Sequence, residues 1–217
     1  MCADVTDEQA FGAIRRIAEK EGLDLLVYSA GCSMAAPIEH AAEGDYRYLF
    51  EVNYFGALKA VQTAVPYMRS RGGKIILVGS LGGDIPIIFD SFYSSSKAAL
   101  EMLARGAGQE LKDYKIKVTA FLPGGTATGF TFKRMIYSDE DSGGYAKNVA
   151  KAVQALARLE QGGMSAGAVA DELIKVVESD NPPLIKTCGA MNTAYRFLSR
   201  VLPEKLTLYM TEKRYGQ

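Results

Sequence analysis

The sequence predicts an α/β fold, a doubly wound parallel sheet with its first strands absent, and three observations predict it. Short, largely apolar runs at 23–28, 75–78 and 115–122 are rich in branched residues, as in strands covered on both faces. Longer stretches with helix signals alternate with them, the pattern of strand–helix–strand units. The 217 residues are 48% hydrophobic, enough for one sizeable core, so residues 1–217 read as a single domain, incomplete at its N-terminus.

Residues 1–5 read as the end of a strand, after which Thr6 and Gln9 form a capping box for a helix over 7–21. Residues 23–31 form the first complete strand, apolar apart from Asp24. His40, the only histidine, precedes a helix and reads as a solvated residue. A long helix is expected over 45–71 with Asn53 and Gly56 inside it; Pro66 kinks it and Gly72-Gly73 closes it. The strand at 75–78 ends in Ser80, and a loop with Gly82, Gly83 and Pro86 leads to a helix carrying Tyr93 and Lys97 and ending near Leu111. The strand at 115–122 runs into Pro123-Gly124-Gly125-Thr126-Ala127-Thr128.

Residues 130–144 mix Phe130, Phe132, Met135, Ile136 and Tyr137 with the acidic Asp139-Glu140-Asp141. A loop this long reads as functional, and the alternative is that its apolar side chains pack on the core. Ser165 caps a helix through Val177, Pro182-Pro183 punctuates, and 184–187 is the last strand. The tail at about 190–217 carries Phe197, Leu198, Val201 and Leu206 among basic residues and breaks at Pro203. Its apolar face suits docking against the domain or a second subunit, with a membrane-surface helix as the alternative.

Composition narrows the function. Lysine plus arginine and aspartate plus glutamate each number 25, and zero net charge argues against nucleic acid or an acidic membrane surface as partner. Cys2, Cys32 and Cys188 lack metal-ligand spacing, which argues for no metal and for a reducing cytoplasm. No secretory leader is expected. Without eighteen uninterrupted apolar residues, no membrane span is expected.

Tyr93 and Lys97 carry the chemistry. Four residues apart on a helix they share one face, and an adjacent ammonium can bias a phenol that ordinarily titrates near 10. Ser80, at the end of a parallel strand, lies where such sheets bind ligands. Tyr209 and Lys213 repeat the tyrosine–lysine spacing, but only the first pair follows a strand ending in serine.

In this context Ser80, Tyr93 and Lys97 resemble the catalytic constellation of the short-chain dehydrogenase/reductase family, and Asn53 falls where that family completes a tetrad. Ala30-Gly31 is similar to the end of its Asn-Asn-Ala-Gly strand motif, although Tyr28 and Ser29 replace the asparagines. Pro123-Gly124 resembles its Pro-Gly turn. The resemblance implies a Rossmann-like fold and hydride transfer between NAD or NADP and a carbonyl or alcohol. Tyr93 would exchange the substrate proton, Lys97 would lower the phenol pKa and hold the nicotinamide ribose, Ser80 would bind the substrate oxygen, and Asn53 would hold a relay water. Cofactor contacts would come from Asp4 and Val5 at the adenine, from Ser29, Ala30 and Gly31, from Tyr93 and Lys97, and from Pro123, Gly124, Thr126 and Thr128 at the nicotinamide. Residues 125–150 would form a lid, whose apolar character implies an apolar substrate, and the Asn-bearing and Tyr-bearing helices would pair in a homo-oligomer.

The family's opening Thr-Gly-x-x-x-Gly-x-Gly turn is absent from the sequence. Two strand–helix units put the missing portion on the order of 60 residues, and the strand at 23–28 is expected to leave an open edge. The acidic or basic residues that choose NAD or NADP would lie in that portion. Two further readings remain: a truncated non-catalytic remnant or nucleotide-binding protein of the same family, and an epimerase or dehydratase using the same bound cofactor.

Overall fold

Period-two alternation along two central strands builds a core on each face of one sheet. The computed structural model describes residues 4–137 and 140–215, with Tyr215 described by its backbone alone. Residues 1–3, including Cys2, along with Asp139 and the end of the tail, lie outside the described residues. The elements are α1 (Glu8–Glu21), β1 (Leu25–Tyr28), β2 (Met34–Ala35), α2 (Glu43–Phe50), a π-helical turn (Glu51–Phe55), α3 (Gly56–Met68), β3 (Gly73–Val78) and α4 (Ser91–Glu110). They continue with β4 (Ile116–Leu122), β5 (Thr126–Ala127), β6 (Met135–Ile136), α5 (Ala146–Gln161), β7 (Met164–Ser165), α6 (Ala166–Glu178), β8 (Ile185–Thr187), α7 (Ala190–Val201) and α8 (Glu204–Tyr215).

The main sheet has the order β1-β3-β4-β8, every pair parallel. Ile75 and Leu77 of β3, with Ile116, Val118, Ala120 and Leu122 of β4, join α1, α3 and α4 in the larger core. Ile76 and Phe121 point the other way and meet Val176 of α6 and Cys188. Helices thus cover both faces, the doubly wound arrangement expected. β1 pairs only with β3 among the described residues, and its Leu25 and Val27 stay 37% and 38% exposed, the open edge anticipated. No described helix is long and apolar enough to cross a membrane.

The differences from expectation have local causes. Val5 and Thr6 form a turn rather than a strand end, because the Asp4 carboxylate accepts from both the N–H and the hydroxyl of Thr6. The cap of α1 is therefore Asp7, whose side chain accepts from the Gln9 N–H, and not Thr6. β1 is shorter than 23–31, since residues 29–31 leave the ladder at its carboxyl end. The long helix starts at Glu43 and passes through the π turn before α3, which ends at Met68; the N–H of Gly72, at φ +78°, closes it on the Met68 carbonyl.

The segment 125–150 is not a plain loop. β5 pairs with β7 and β6 with β2, and α5 begins inside the segment. Its aromatics divide: Tyr137 is buried with Met34 and Leu49, whereas Phe132 is 80% exposed. His40 is exposed, as read from sequence, and α7 and α8 meet at Pro203.

Candidate active site

β1, β3 and β4 end side by side, so the residues that follow them share one crevice, the usual ligand position in an open parallel sheet. After β3, Ser80 caps a 3₁₀ turn over Leu81–Gly83, its Oγ accepting from the Gly82 N–H at 3.0 Å. Gly83 presses this turn on α4: a Cβ there would come within 2.8 Å of the Lys97 carbonyl carbon and 2.9 Å of the Ala98 nitrogen. The glycine thereby sets the distance between Ser80 and the helix carrying Tyr93 and Lys97.

A cavity of about 750 Å³ opens at this point, within the range of small-molecule sites. Ser80, Tyr93 and Lys97 line it, together with Ser29, Gly31, Pro123, Gly124, Thr126 and Thr128. Ala30 stands between two lining residues without lining it. Asp4 and Val5 lie apart: Asp4 is exposed, its carboxyl held below the usual range by the Thr6 hydrogen bonds, and Val5 packs beside the larger core.

Lys97 is buried and donates from Nζ to the Val78 carbonyl at 3.0 Å. Its ammonium lies 5.8 Å from the centroid of the Tyr93 ring. Burial lowers the Lys97 pKa to about 8. Burial also pushes the Tyr93 phenol up, against a hydrogen bond with Ser80 that pulls it down. Burial dominates the Tyr93 shift, and Lys97 has no part in it, its ammonium being turned to the Val78 carbonyl.

Asn53 sits behind the cavity, fully buried in the π turn. Its carboxamide brackets one backbone residue, accepting from the Cys32 N–H and donating to the Cys32 carbonyl, each at 2.9 Å, and it also donates to Ser96 Oγ at 2.9 Å. Ser96 in turn donates to the Tyr93 carbonyl at 2.8 Å. Asn53 thus joins the loop after β1 to the Tyr93 turn of α4. Tyr28, which replaces an asparagine of the strand motif this segment resembles, donates to the Val52 carbonyl in the same π turn, a side chain entering the helix ladder where the helix departs from α geometry.

Several lining residues were not anticipated. Asp90, immediately before α4, together with Arg134 and Glu160, forms a buried polar cluster in the cavity wall. Ser33 Oγ donates to the Asp90 carboxylate at 3.1 Å and accepts from Arg134 Nε at 3.0 Å; Arg134 Nη2 donates to Glu160 Oε1 at 2.6 Å. Burial raises the Asp90 pKa to about 7, opposed by Arg134, Ser33 and the Met34 N–H. The sequence signal for Glu160 was the spacing of Val149, Ala152, Ala155 and Leu156, which bury one face of α5. Asn192 of α7 packs against Gly124, where a Cβ would come within 2.5 Å of it. No group of metal-ligating side chains occurs among the described residues.

Comparison with known proteins fits this geometry. The profile described as short chain dehydrogenase matches residues 1–136. The 3-ketodihydrosphingosine reductase of Bacteroides thetaiotaomicron is 31% identical over 185 residues, spanning 82% of this chain and 68% of that protein. The NADPH-dependent 1-acyldihydroxyacetone phosphate reductase of Saccharomyces cerevisiae is 31% identical over 186 residues, 83% of this chain and 61% of that one. The crystal structure of a short-chain dehydrogenase from Streptomyces avermitilis superposes with a TM-score of 0.79 at 28% identity, covering 97% of this chain and 76% of that chain. This chain therefore spans roughly two thirds of the lengths of the two reductases.

Proposed function

This chain belongs to the short-chain dehydrogenase family, and on that premise we propose that it is an oxidoreductase transferring hydride between NAD or NADP and a carbonyl or alcohol of a largely apolar substrate. The observation that carries the reading is the convergence of Ser80, Tyr93 and Lys97 on one cavity at the carboxyl ends of β1, β3 and β4.

The residues present fit the nicotinamide end of the cofactor. Lys97 Nζ has Val78 O as its acceptor among the described residues and keeps donors for ribose hydroxyls. A Cβ at Gly31 would come within 3.3 Å of that nitrogen and of Asn53 Oδ1, so the glycine keeps the approach open. Ser29, Pro123, Gly124, Thr126 and Thr128, which line the cavity, would complete the cradle. Asp4 and Val5, read as adenine contacts, carry no step here. When bound, the nicotinamide supplies or takes up the hydride.

Tyr93 passes the proton between its phenol and the substrate oxygen, and Ser80 Oγ donates to that oxygen as charge builds on it. The high pKa of Tyr93 keeps it protonated at neutrality, the form needed to protonate a reduced carbonyl. Lys97 orients the ribose and Asn53 supports the relay by holding the Cys32 backbone. The free thiols of Cys32 and Cys188 suit a cytoplasmic setting. Tyr48, Phe55 and Met102, exposed on the Asn-bearing and Tyr-bearing helices, support pairing of those helices in a homo-oligomer.

Titration with NADH and NADPH, followed by thermal unfolding, tests the reading. A ligand of the native state at about 100 times its dissociation constant adds about 2.7 kcal/mol. Stabilisation by one of the two is expected; a response to neither sinks the proposal.

A further inference from the structure

The reacting groups occupy one wall of the cavity, and a second polar site faces the same space. Arg134 is 6% exposed and lines the cavity; its Nε is bonded to Ser33 and its Nη2 to Glu160, but its Nη1 is buried with no hydrogen-bond partner among the described residues. Buried donors in native proteins are almost always satisfied. An orphaned guanidinium nitrogen in the wall of a ligand cavity marks the place of an acceptor atom. Asp90 and Glu160 line the same cavity. Asp90 stands only one helical turn before Tyr93, so the site lies close to the reacting carbonyl.

We propose that Arg134, with Asp90 and Glu160, forms a subsite for a neutral hydroxyl group carried by the substrate a few bonds from its reacting carbonyl. The inference rests on the reading that a carbonyl or alcohol reacts at Tyr93, and it names the substrate class for that site: a hydroxyketone or the matching diol with an apolar remainder. The hydroxyl oxygen accepts from Arg134 Nη1 and its proton is donated to a carboxylate of Asp90 or Glu160. Ile85, Ile87, Leu156, Leu159 and Val169 line the cavity as well and accommodate the apolar part.

Charge decides against the competing ligands. Glu160, at 2.6 Å, already neutralises Arg134, and Asp90, 3.9 Å from Arg134 Nε, adds no positive charge in either protonation state. The cluster therefore carries no surplus positive charge, and a carboxylate or phosphate would meet two acids. An ammonium ion would leave Nη1 unsatisfied, since it offers no acceptor. A hydroxyl both accepts and donates, matching the orphaned nitrogen and the adjacent carboxylates together.

The test is a binding series on the wild-type chain, read by calorimetry and independent of turnover: hexan-2-ol, hexane-1,2-diol, hexanoate and hexylammonium. The diol is expected to bind at least about tenfold more tightly than the mono-alcohol and more tightly than either ion, because a site built to hydrogen-bond a hydroxyl rejects the analogue lacking it. Arg134→Lys keeps the positive charge between the two acids but removes the guanidinium fork, and should bring the diol to the level of the mono-alcohol. Equal affinity for the two alcohols, no measurable diol binding, or tightest binding by either ion overturns the subsite; these outcomes are read on wild type whether or not Arg134→Lys folds. A water filling the gap beside Nη1 would give the equal-affinity result. Reduction of hexan-2-one and 1-hydroxyhexan-2-one with NADH or NADPH, run alongside, separates the two claims. Diol preference without turnover of either ketone leaves the subsite standing and removes the oxidoreductase reading. Turnover of both ketones at equal kcat/KM removes the subsite alone.

Discussion

Asn53 holds Cys32 by both backbone polar groups, accepting from its N–H and donating to its carbonyl at 2.9 Å each. This pairing spans the loop after β1 and the π turn, and through Ser96 it reaches the backbone of Tyr93. A residue that weakens an ordinary helix is here the connector between two walls of the cavity.

Asn53→Ala should leave the part-buried Cys32 N–H and carbonyl without their side-chain partner. An unsatisfied buried polar group costs about 1–3 kcal/mol, so denaturant unfolding should show a loss of that order. A change below about 0.5 kcal/mol would mean that water or a backbone shift replaces the carboxamide.

Gly83→Ala tests the seat of the 3₁₀ turn. The added methyl would strike the backbone of Lys97 and Ala98 inside 3.0 Å, and a backbone cannot swing away as a side-chain tip does. Ser80 should be displaced from Tyr93, and overpacking of this kind costs about 1–3 kcal/mol. The variant should lose stability by that amount and lose turnover beyond what its folded fraction explains; unchanged kinetics would show that the turn does not set the Ser80 position.

Asp90 gives a pH dependence of defined sign. Its folded pKa, about 7, lies above the ordinary 3.8 because burial disfavours the charged form. Between those values the folded state binds more protons than the unfolded state, so this group makes stability fall as pH rises from about 4 to about 7. Asp90→Asn removes that term. The stability of the variant relative to wild type should climb across the window by at most about 1.4 kcal/mol per pH unit, measured by urea unfolding at several pH values. A flat difference would show that Arg134 and Ser33 hold the carboxylate ionised.

The sheet and the Tyr93 helix were legible because their signals are local. Branched apolar runs such as Ile75 to Val78 have few other uses, and Ser80, Tyr93 and Lys97 are brought together by one strand, one loop and one helix. Helix α5 was not anticipated, although its buried stripe at Val149, Ala152, Ala155 and Leu156 was present in the sequence. The Ser33, Asp90, Arg134 and Glu160 cluster carries no local pattern at all: Ser33 lies 57 residues from Asp90 and 101 from Arg134, and only the folded chain brings them together. The direction of the Tyr93 shift was equally hidden, since it depends on how much water the finished cavity excludes and on Lys97 turning to Val78.

The central claim is that Tyr93 exchanges the proton with the substrate. Its most direct test is ketone-dependent oxidation of the preferred nicotinamide cofactor by wild type and by Tyr93→Phe, with cofactor affinity and thermal midpoint measured on both. Removing one proton-transfer group typically costs 10²–10⁴-fold. The variant should keep its fold and cofactor affinity and lose turnover by at least about 10²-fold, whereas turnover within a few-fold of wild type would contradict the assignment.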